Sequence, residues 1–222
     1  MKIVITAATK AEWLPASLHI KPMFTKADSE FKVIFHESGV GMLATAVSLT
    51  RLIMAYQPDL VIQVGIAGTF DQKIKLGKVI CVDEEMLGDM GVEENNIWKD
   101  IFDLNLEQKN NSPFKKSKLP NPFLKKLNTL KLPQVNAITV NEISTNKNRI
   151  QQLIKKYEPV IESMEGAALH YVCREMNVSF IQIRSISNYI GDRNKKNWKL
   201  KESINNLNKT TLKLIDKLFK IM

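Results

Sequence analysis

The sequence predicts an α/β fold in which a central, mostly parallel, twisted sheet is flanked by helices. Short apolar runs rich in β-branched residues alternate along the chain with segments of helical periodicity, which is typical of successive βαβ units. The 222 residues, of which 44% are hydrophobic, are enough to bury one large core. Neither a linker nor an internal repeat divides the sequence, so we expect a single domain over residues 1–222.

The strands are predicted from apolar, β-branched runs that are bounded by turn residues. These runs are Lys2–Ala7, Lys32–Phe35, Leu60–Val64, Val79–Val82, Ala137–Val140, Val160–Ser163 and Ser179–Arg184. The first run is too short for a signal peptide and is followed at once by charged residues. A buried first strand is therefore the better interpretation of the amino terminus.

The helices are predicted between these strands and begin near Thr9, Gly41, Asn121, Asn146, Met164 and Leu200. In the second helix, apolar side chains recur at helical spacing from Met42 to Tyr56, and Pro58 ends the pattern. The last helix shows the same spacing from Ile204 to Leu218. The polar stretch from Glu84 to Pro120 has weak periodicity, and we expect an irregular excursion that is a lid, an oligomer contact or a surface loop.

The formal net charge is +9, from 32 Lys and Arg against 23 Asp and Glu. Such a charge is compatible with binding to nucleic-acid phosphates, or with a lysine-rich surface that keeps the protein in solution. The lysines are scattered and are not interleaved with aromatic residues, as binding to single strands would require. We therefore expect a solvated basic surface and no nucleic-acid partner.

Membrane and metal functions are also disfavoured by the sequence. No apolar run approaches the roughly 20 residues that cross a bilayer. The two cysteines, Cys81 and Cys173, have neither the close spacing of a zinc site nor a second pair for a disulfide framework. We expect a cytoplasmic protein that has no membrane partner and needs no metal or other cofactor.

Small and polar residues follow the predicted strands at the point where each strand ends. Because ligands of open α/β sheets bind at the carboxyl ends of the strands, we expect these residues to surround one site. They are Ala8–Glu12, Ser38–Gly41, Gly65–Gly68, Asn141–Ile143, Met164–Gly166 and Ser185–Asn188. Carboxylates, an amide and small apolar groups together suit a small polar ligand with a flat hydrophobic part.

Each of these features also has a purely structural interpretation. Thr9 and Glu12 have the spacing of a helix capping box, which taken alone is the favoured interpretation of Glu12. The glycines of Gly65–Gly68 are compatible with a tight turn, and Glu165 with a helix dipole. Arg184 is compatible with an ordinary ion pair. The hypothesis of a functional site depends on their co-location.

The order of five motifs resembles the nucleoside phosphorylase/nucleosidase superfamily over nearly the whole chain. The motifs are Ala-Ala-Thr-Lys-Ala-Glu at 7–12, Ser-Gly-Val-Gly at 38–41, Val-Gly-Ile-Ala-Gly at 64–68, Ser-Met-Glu-Gly-Ala-Ala at 163–168 and Ile-Arg-Ser-Ile-Ser-Asn at 183–188. Within the superfamily, the chain resembles the futalosine hydrolases of menaquinone biosynthesis. The segments that carry this finer similarity are 65–71, 162–168 and 187–193.

The resemblance implies a three-layer fold of that superfamily and assigns roles by position. Glu12 matches the carboxylate that activates the attacking water, and Asn188 occupies the position that meets the purine N7 edge. The implied substrate-binding residues are Val40, Ala67, Ile143, Met164, Glu165 and Arg184. Among these, Glu165 would accept hydrogen bonds from the sugar hydroxyls and Arg184 would help to position the water. The resemblance also implies a homodimer or larger assembly.

These assignments predict hydrolysis of the N-glycosidic bond of a purine nucleoside. A carboxylate at Glu12 would repel phosphate, so hydrolysis is favoured over phosphorolysis. The amide of Asn188 complements the N7–H and O6 of hypoxanthine, which points to futalosine and release of hypoxanthine and dehypoxanthine futalosine. The alternatives are a methylthioadenosine/S-adenosylhomocysteine nucleosidase, a purine nucleoside phosphorylase and a non-catalytic nucleic-acid-binding protein.

Overall fold

A computed structural model describes residues 1–23 and 32–221 of the protein. The strands are β1 Lys2–Ala7, β2 Lys32–Glu37, β3 Leu60–Thr69, β4 Val79–Leu87, β5 Gly91–Glu94, β6 Ile97–Asp100, β7 Leu119–Pro120, β8 Gln134–Thr139, β9 Ile161–Ser163 and β10 Ser179–Tyr189. The helices are α1 Lys10–Met23, α2 Met42–Tyr56, α3 Leu124–Leu127, α4 Lys147–Tyr157, α5 Gly166–Glu175 and α6 Leu200–Ile221. A short 3₁₀ helix spans Lys195–Asn197.

Eight strands form one sheet in the order β10-β4-β8-β9-β3-β1-β2, with β7 attached to β4. An additional pairing between β10 and β3 closes part of the sheet into a ring. Five strand pairs are parallel (β1–β2, β1–β3, β3–β10, β4–β8 and β8–β9), whereas β10–β4, β3–β9 and β4–β7 are antiparallel. The predicted α/β fold with a mostly parallel sheet and flanking helices is confirmed.

Helices cover the sheet on both faces, which gives the three layers. On one face, Trp13 and Ile20 of α1 and Leu214 of α6 pack on apolar side chains of β1 and β3. On the other face, Leu49 of α2 and Leu169 of α5 form a second buried cluster with Val61 of β3. Within the described part of the chain, no helix has both the length and the apolar character needed to cross a membrane.

Three strands extend five residues beyond their predicted carboxyl ends. β3, β4 and β10 continue to Thr69, Leu87 and Tyr189, so residues 65–68 and 185–188 lie within strands and not in turns after them. The pairing of β3 with β10, which continues through a register shift between Ile186 and Asn188, extends those two strands, and the pairing with β8 extends β4. The helix expected near Asn121 is only the short α3.

The expectation of an irregular excursion over Glu84–Pro120 is wrong for part of that segment. Its first residues belong to β4. The strands β5 and β6 then form a two-stranded hairpin, and β7 pairs with β4. Phe102 and Phe114 lie at its centre, where they pack in an edge-on arrangement beside Ala167. Buried aromatic contacts therefore order a segment whose sequence lacks periodicity.

A buried amide of α6 is inserted into the hydrogen bonding of α1. Asn208 is 4% exposed; its Nδ2 donates to Glu12 O over 2.9 Å, and its Oδ1 accepts from Ala16 N over 2.8 Å. These two backbone groups would bond each other in a regular helix. The inserted side chain, next to Pro15, therefore joins α6 to the backbone of Glu12.

We predict that Asn208→Ala lowers the free energy of unfolding by about 1–3 kcal/mol, because it leaves a buried N–H and a buried C=O separated and unsatisfied. Urea denaturation measures this change. Asn205→Ala, at an exposed position of the same helix, is the matched control and should stay within about 0.5 kcal/mol of the parent. Equal stability of the two variants would contradict the structural role of Asn208.

Candidate active site

A cavity of about 320 Å³ opens where β1, β3, β9 and β10 end. Seven of the eight residues predicted for the site line it: Glu12, Val40, Ala67, Ile143, Met164, Glu165 and Asn188. The eighth, Arg184, does not line the cavity, but it lies beneath it in contact with Glu165. The structure therefore brings together side chains that are up to 176 positions apart in the sequence, from Glu12 to Asn188.

Glu12 is 8% exposed and accepts hydrogen bonds with both carboxyl oxygens. Its Oε2 accepts from Thr9 N at 3.1 Å, as in a capping box, and its Oε1 accepts from Ile66 N at 3.1 Å on β3. The cap and the site are thus compatible, since one side chain serves both. Burial raises the pKa of Glu12 above its ordinary value, and the positive charge of Arg184 opposes that rise.

Arg184 is 2% exposed and forms a buried ion pair with Glu165. Its Nη1 lies 3.5 Å from Glu165 Oε2, and its Nη2 donates to Gln63 Oε1 over 2.8 Å. A methyl group at Gly65 would lie 2.2 Å from Arg184 Nη1 and 3.1 Å from Glu12 Oε1. The absence of a side chain at Gly65 therefore lets Arg184 and Glu12 approach each other across β3. Gly65 lies within this strand and not in the tight turn that the sequence suggested.

Glu165 is the residue directly before α5, and it lines the cavity. Its Oε1 accepts from Gly41 N over 3.2 Å, which ties it to the start of α2. With one oxygen on Gly41 and the other toward Arg184, the carboxylate is held from two sides. Such a fixed acceptor suits hydrogen bonds to hydroxyl groups of a ligand.

Asn188 lies on β10 and lines the same cavity as Glu12, although the two residues are far apart in the sequence. Its Oδ1 accepts from Ser187 Oγ over 2.8 Å, and its Nδ2 donates to Tyr189 O over 3.2 Å. These bonds orient the amide and leave it one further acceptor site and one further donor. Asn188 can therefore pair with a ligand edge that offers one donor and one acceptor.

Several residues of the cavity were not predicted individually. Ile190, Arg193 and Trp198 line it from the segment after β10, and Glu162 lines it from β9. Arg193 lies in the segment 187–193 that carries the finer resemblance, which was the available signal. Glu162 binds the backbone and hydroxyl of Ser144, and burial raises its pKa. This carboxyl thereby holds the loop that carries Ile143.

Similar proteins were found both among family models and among characterised relatives. The family model described as the phosphorylase superfamily matches residues 7–220. A 5′-methylthioadenosine/S-adenosylhomocysteine nucleosidase of Bacillus cytotoxicus is 29% identical over 167 residues, which cover 72% of this chain and 69% of that protein. A second such enzyme, of Shewanella oneidensis, is 28% identical over 206 residues, which cover 84% of each chain.

Solved structures include both kinds of enzyme considered from the sequence. A futalosine hydrolase mutant of Helicobacter pylori has a TM-score of 0.79 at 18% identity, covering 98% of this chain and 99% of that chain. A methylthioadenosine/S-adenosylhomocysteine nucleosidase of Colwellia psychrerythraea in complex with adenine has a TM-score of 0.72 at 20% identity, covering 96% and 93%. These likenesses confirm the fold of the nucleoside phosphorylase/nucleosidase type.

The relatives confirm the expected class of enzyme, since they are named as nucleosidases, which hydrolyse N-glycosidic bonds. Between the two substrates considered from the sequence, the names of the curated relatives favour the alternative, methylthioadenosine/S-adenosylhomocysteine, over futalosine. Because the family match extends over nearly the whole sequence, this chain belongs to the phosphorylase superfamily.

Proposed function

We propose that this protein hydrolyses the N-glycosidic bond of a purine nucleoside, with Glu12 as the general base. The observation that carries the proposal is that Glu12 and Asn188 line one cavity together with Glu165. A water molecule beside Glu12 would give a proton to the carboxylate as its oxygen attacks the anomeric carbon. The bond to the purine breaks, its electron pair leaves with the base, and a second water molecule supplies the proton that the base takes up at N7.

The raised pKa of Glu12 supports the role of general base, because a base is most efficient when its pKa approaches the working pH. Its negative charge, like that of Glu165, also favours the positive charge that develops on the sugar in the transition state. Arg184 lies beneath the cavity in contact with Glu165, and its positive charge opposes the rise in the pKa of Glu12. The arrangement therefore supplies a proton acceptor and electrostatic stabilisation at the same place.

Hydrolysis agrees better with this site than phosphorolysis does. Three carboxyl groups line the cavity, from Glu12, Glu162 and Glu165, and phosphate would be repelled by them. The buried guanidinium of Arg184 already pairs with Glu165 and Gln63. A phosphorylase needs cationic or N–H groups for its second substrate, and this end of the cavity is occupied by carboxylates.

For the base, we propose a 6-oxopurine. Asn188 can accept from a protonated N7 and donate to O6, whereas the 6-amino group of adenine would meet the amide N–H₂ donor to donor. Each buried mismatch costs about 1–3 kcal/mol, or roughly tenfold in selectivity. The adenine-releasing activity named for the curated relatives is the second candidate.

The 5′ end of the substrate is the other distinction between the candidates. Arg193 is the one cationic side chain among the described residues that line the cavity, and it takes part in none of the ion pairs found in residues 1–23 and 32–221. Its guanidinium lies 5.3 Å from the ring centre of Trp198. A cation beside an aromatic wall suits a substituent that has a carboxylate and an aromatic ring. Futalosine has both, so it is the substrate we propose.

A homo-oligomer stays a prediction. Apolar side chains are exposed beside the cavity at Val40 and along α2 at Leu43, Val47 and Met54. An exposed apolar stripe of this kind is typical of a protein–protein contact. Since Val40 also lines the cavity, we propose that a second copy covers this side of the site.

We predict that Glu12→Gln folds normally and that kcat falls by about 10²–10⁴-fold, the usual contribution of a general base. The Gln oxygen can still accept from Thr9 N, which preserves the helix cap, whereas the acceptor for Ile66 N is lost, so a modest decrease in melting temperature is expected. Chromatographic measurement of purine release in phosphate-free buffer, together with thermal unfolding, tests both parts. Turnover close to that of the parent protein would return Glu12 to a capping role alone.

We predict that Asn188→Asp lowers kcat/KM for futalosine and inosine relative to methylthioadenosine by at least about tenfold, because the carboxyl group presents a different donor and acceptor pattern to the base. Asn194→Asp, in the same segment and outside the cavity lining, is the control and should leave the ratio unchanged. A parent protein that already prefers methylthioadenosine would refute the 6-oxopurine assignment and support the second candidate.

We predict that Arg193→Gln raises KM for futalosine by about tenfold and leaves KM for inosine unchanged, since only futalosine offers a carboxylate to pair with the guanidinium. The comparison of the two substrates in one variant separates a lost contact from a general defect. Lys195→Gln removes an equal charge from the same segment and serves as the control. An equal rise in KM for both substrates would exclude Arg193 as the carboxylate partner.

A further inference from the structure

A buried polar cluster lies behind the first turn of α5, outside the cavity lining. It contains Glu85 of β4, Thr139 of β8, Gln182 of β10 and His170 of α5, each with 0% exposure. Gln182 Nε2 donates to Glu85 Oε1 over 2.8 Å, and Thr139 Oγ1 donates to Glu85 Oε2 over 2.9 Å. The four side chains come from four elements, and so the cluster joins three strands to α5.

The cluster is in direct contact with the backbone of the residues that follow Glu165. A methyl group at Gly166 would lie 1.8 Å from Glu85 Oε1 and 2.4 Å from Gln182 Nε2, so only glycine allows this contact. Ala167 N donates to Thr139 Oγ1 over 2.8 Å, which satisfies an otherwise unpaired N–H at the helix start. The cluster therefore fixes the start of α5, and with it the position of Glu165.

Two buried atoms of the cluster, Gln182 Oε1 and His170 Nε2, have no hydrogen-bond partner. His170 Nδ1 lies 2.6 Å from Leu119 O, which can only accept, so Nδ1 carries a proton. A neutral ring then has a lone pair at Nε2. The Gln182 side chain lies beside this ring and, in the orientation given above, favours its protonated form. An amide oxygen facing that lone pair cannot form a hydrogen bond with it.

Exchanging the oxygen and nitrogen of the Gln182 amide resolves the conflict. These two atoms are assigned from their hydrogen bonds and not from their positions. After the exchange, Nε2 donates to His170 Nε2, and Oε1 faces Glu85 Oε1. Two oxygens form a hydrogen bond only if one carries a proton, and in this pair only the Glu85 carboxyl can.

The other way to satisfy the cluster is to keep the amide as placed and to protonate His170 Nε2. Both arrangements hold the same number of protons, but this one buries a carboxylate and an imidazolium, whereas the exchanged one buries no charge. Burying full charges is costly. Burial raises the pKa of Glu85 to about 7 and lowers the pKa of His170 to about 3, so both groups are neutral between these values.

The charged groups around the cluster agree with a neutral Glu85. Arg184 favours the ionised carboxyl and Glu165 disfavours it, and the desolvation of Glu85 exceeds both influences. On the side of His170, Arg174 and Arg184 both disfavour a positive ring. Arg184 therefore favours the carboxylate but disfavours the imidazolium, so it does not stabilise the arrangement that has both charges.

We propose that Glu85 is a protonated positioning residue: it donates to Gln182 Oε1, and the resulting neutral cluster holds the start of α5 so that Glu165 alone pairs with Arg184. When Glu85 loses its proton, its hydrogen bond to Gln182 Oε1 is lost. A second carboxylate then lies behind the Glu165–Arg184 pair. Binding at Glu165 should weaken under those conditions, while the chemistry at Glu12 is unaffected.

Glu85→Gln tests the protonation without any substrate. A glutamine can make the same contacts and cannot ionise. Because the folded pKa of Glu85 lies above its ordinary value of 4.5, its stabilising contribution is complete at low pH and is lost as the pH rises through about 7. The melting temperature of the variant minus that of the parent should therefore increase from about pH 5 to pH 8. The parent should also show an infrared band of a protonated carboxyl group near pH 6 that the variant lacks.

The matched control is Glu84→Gln, which changes the neighbouring carboxylate that pairs with Lys118. This variant should keep the infrared band, and it should shift the melting temperature by the same amount at both pH values. A parent protein without the band, or a Glu85→Gln difference that does not change with pH, would show that Glu85 is ionised and would overturn the proposal.

The kinetic test rests on the proposed function. KM of the parent should rise at least about threefold from pH 7 to pH 9 with kcat little changed, and KM of Glu85→Gln should stay constant over that range. A Glu85→Gln variant that keeps the parent's KM profile would contradict the positioning role. If no nucleoside is cleaved, the proposed function fails, whereas the infrared and melting data still decide the state of Glu85.

Discussion

The buried guanidinium of Arg184 is the interaction on which the candidate site depends. It lies below the cavity, pairs with Glu165, bonds Gln63 and lowers the pKa of Glu12 against the effect of burial. Carboxyl groups gathered in a buried region would otherwise repel one another and bind protons. Breaking such a buried pair by removing one partner costs about 3–5 kcal/mol, because the remaining charge is left without compensation. One cation thus pairs with Glu165 and opposes the rise in the pKa of Glu12, at the place where a substrate would meet both groups.

The closure of the sheet explains how Arg184 reaches that place. β10 pairs with β3 along its length, so a side chain on β10 crosses directly over Gly65 of β3. Because β3 also pairs with β1, the residues just after β1 lie on the other side of the same strand, and Glu12 bonds the backbone of Ile66. The central strand therefore separates and positions the acidic and basic groups. The inserted amide of Asn208 secures the backbone of Glu12 from the side of α6.

The sequence alone predicted most strand and helix positions, because β-branched runs and helical spacing are local signals. It also located the residues of the cavity, since parallel strands bring their ends to one edge. The closure through β3 and β10 was not predictable, because it depends on pairing between strands that are over 100 residues apart. For the same reason, Glu85 was missed: its contacts with Gln182 and Gly166 are long-range, and nothing in its neighbourhood along the chain indicates a buried carboxyl.

The cavity combines groups on rigid strands with groups on a connecting segment. Glu165, Arg184 and Asn188 are held by paired strands and by α5, whereas Arg193 and Trp198 lie between β10 and α6. Strand positions are constrained by the pairing of their neighbours, while connecting segments tolerate substitution. Relatives that share this fold can therefore keep groups such as Glu165 and Arg184 and differ in the segment that carries Arg193 and Trp198. On this argument, the names of relatives at 28–29% identity bear on the bond that is cleaved more directly than on the substituent that distinguishes one nucleoside from another.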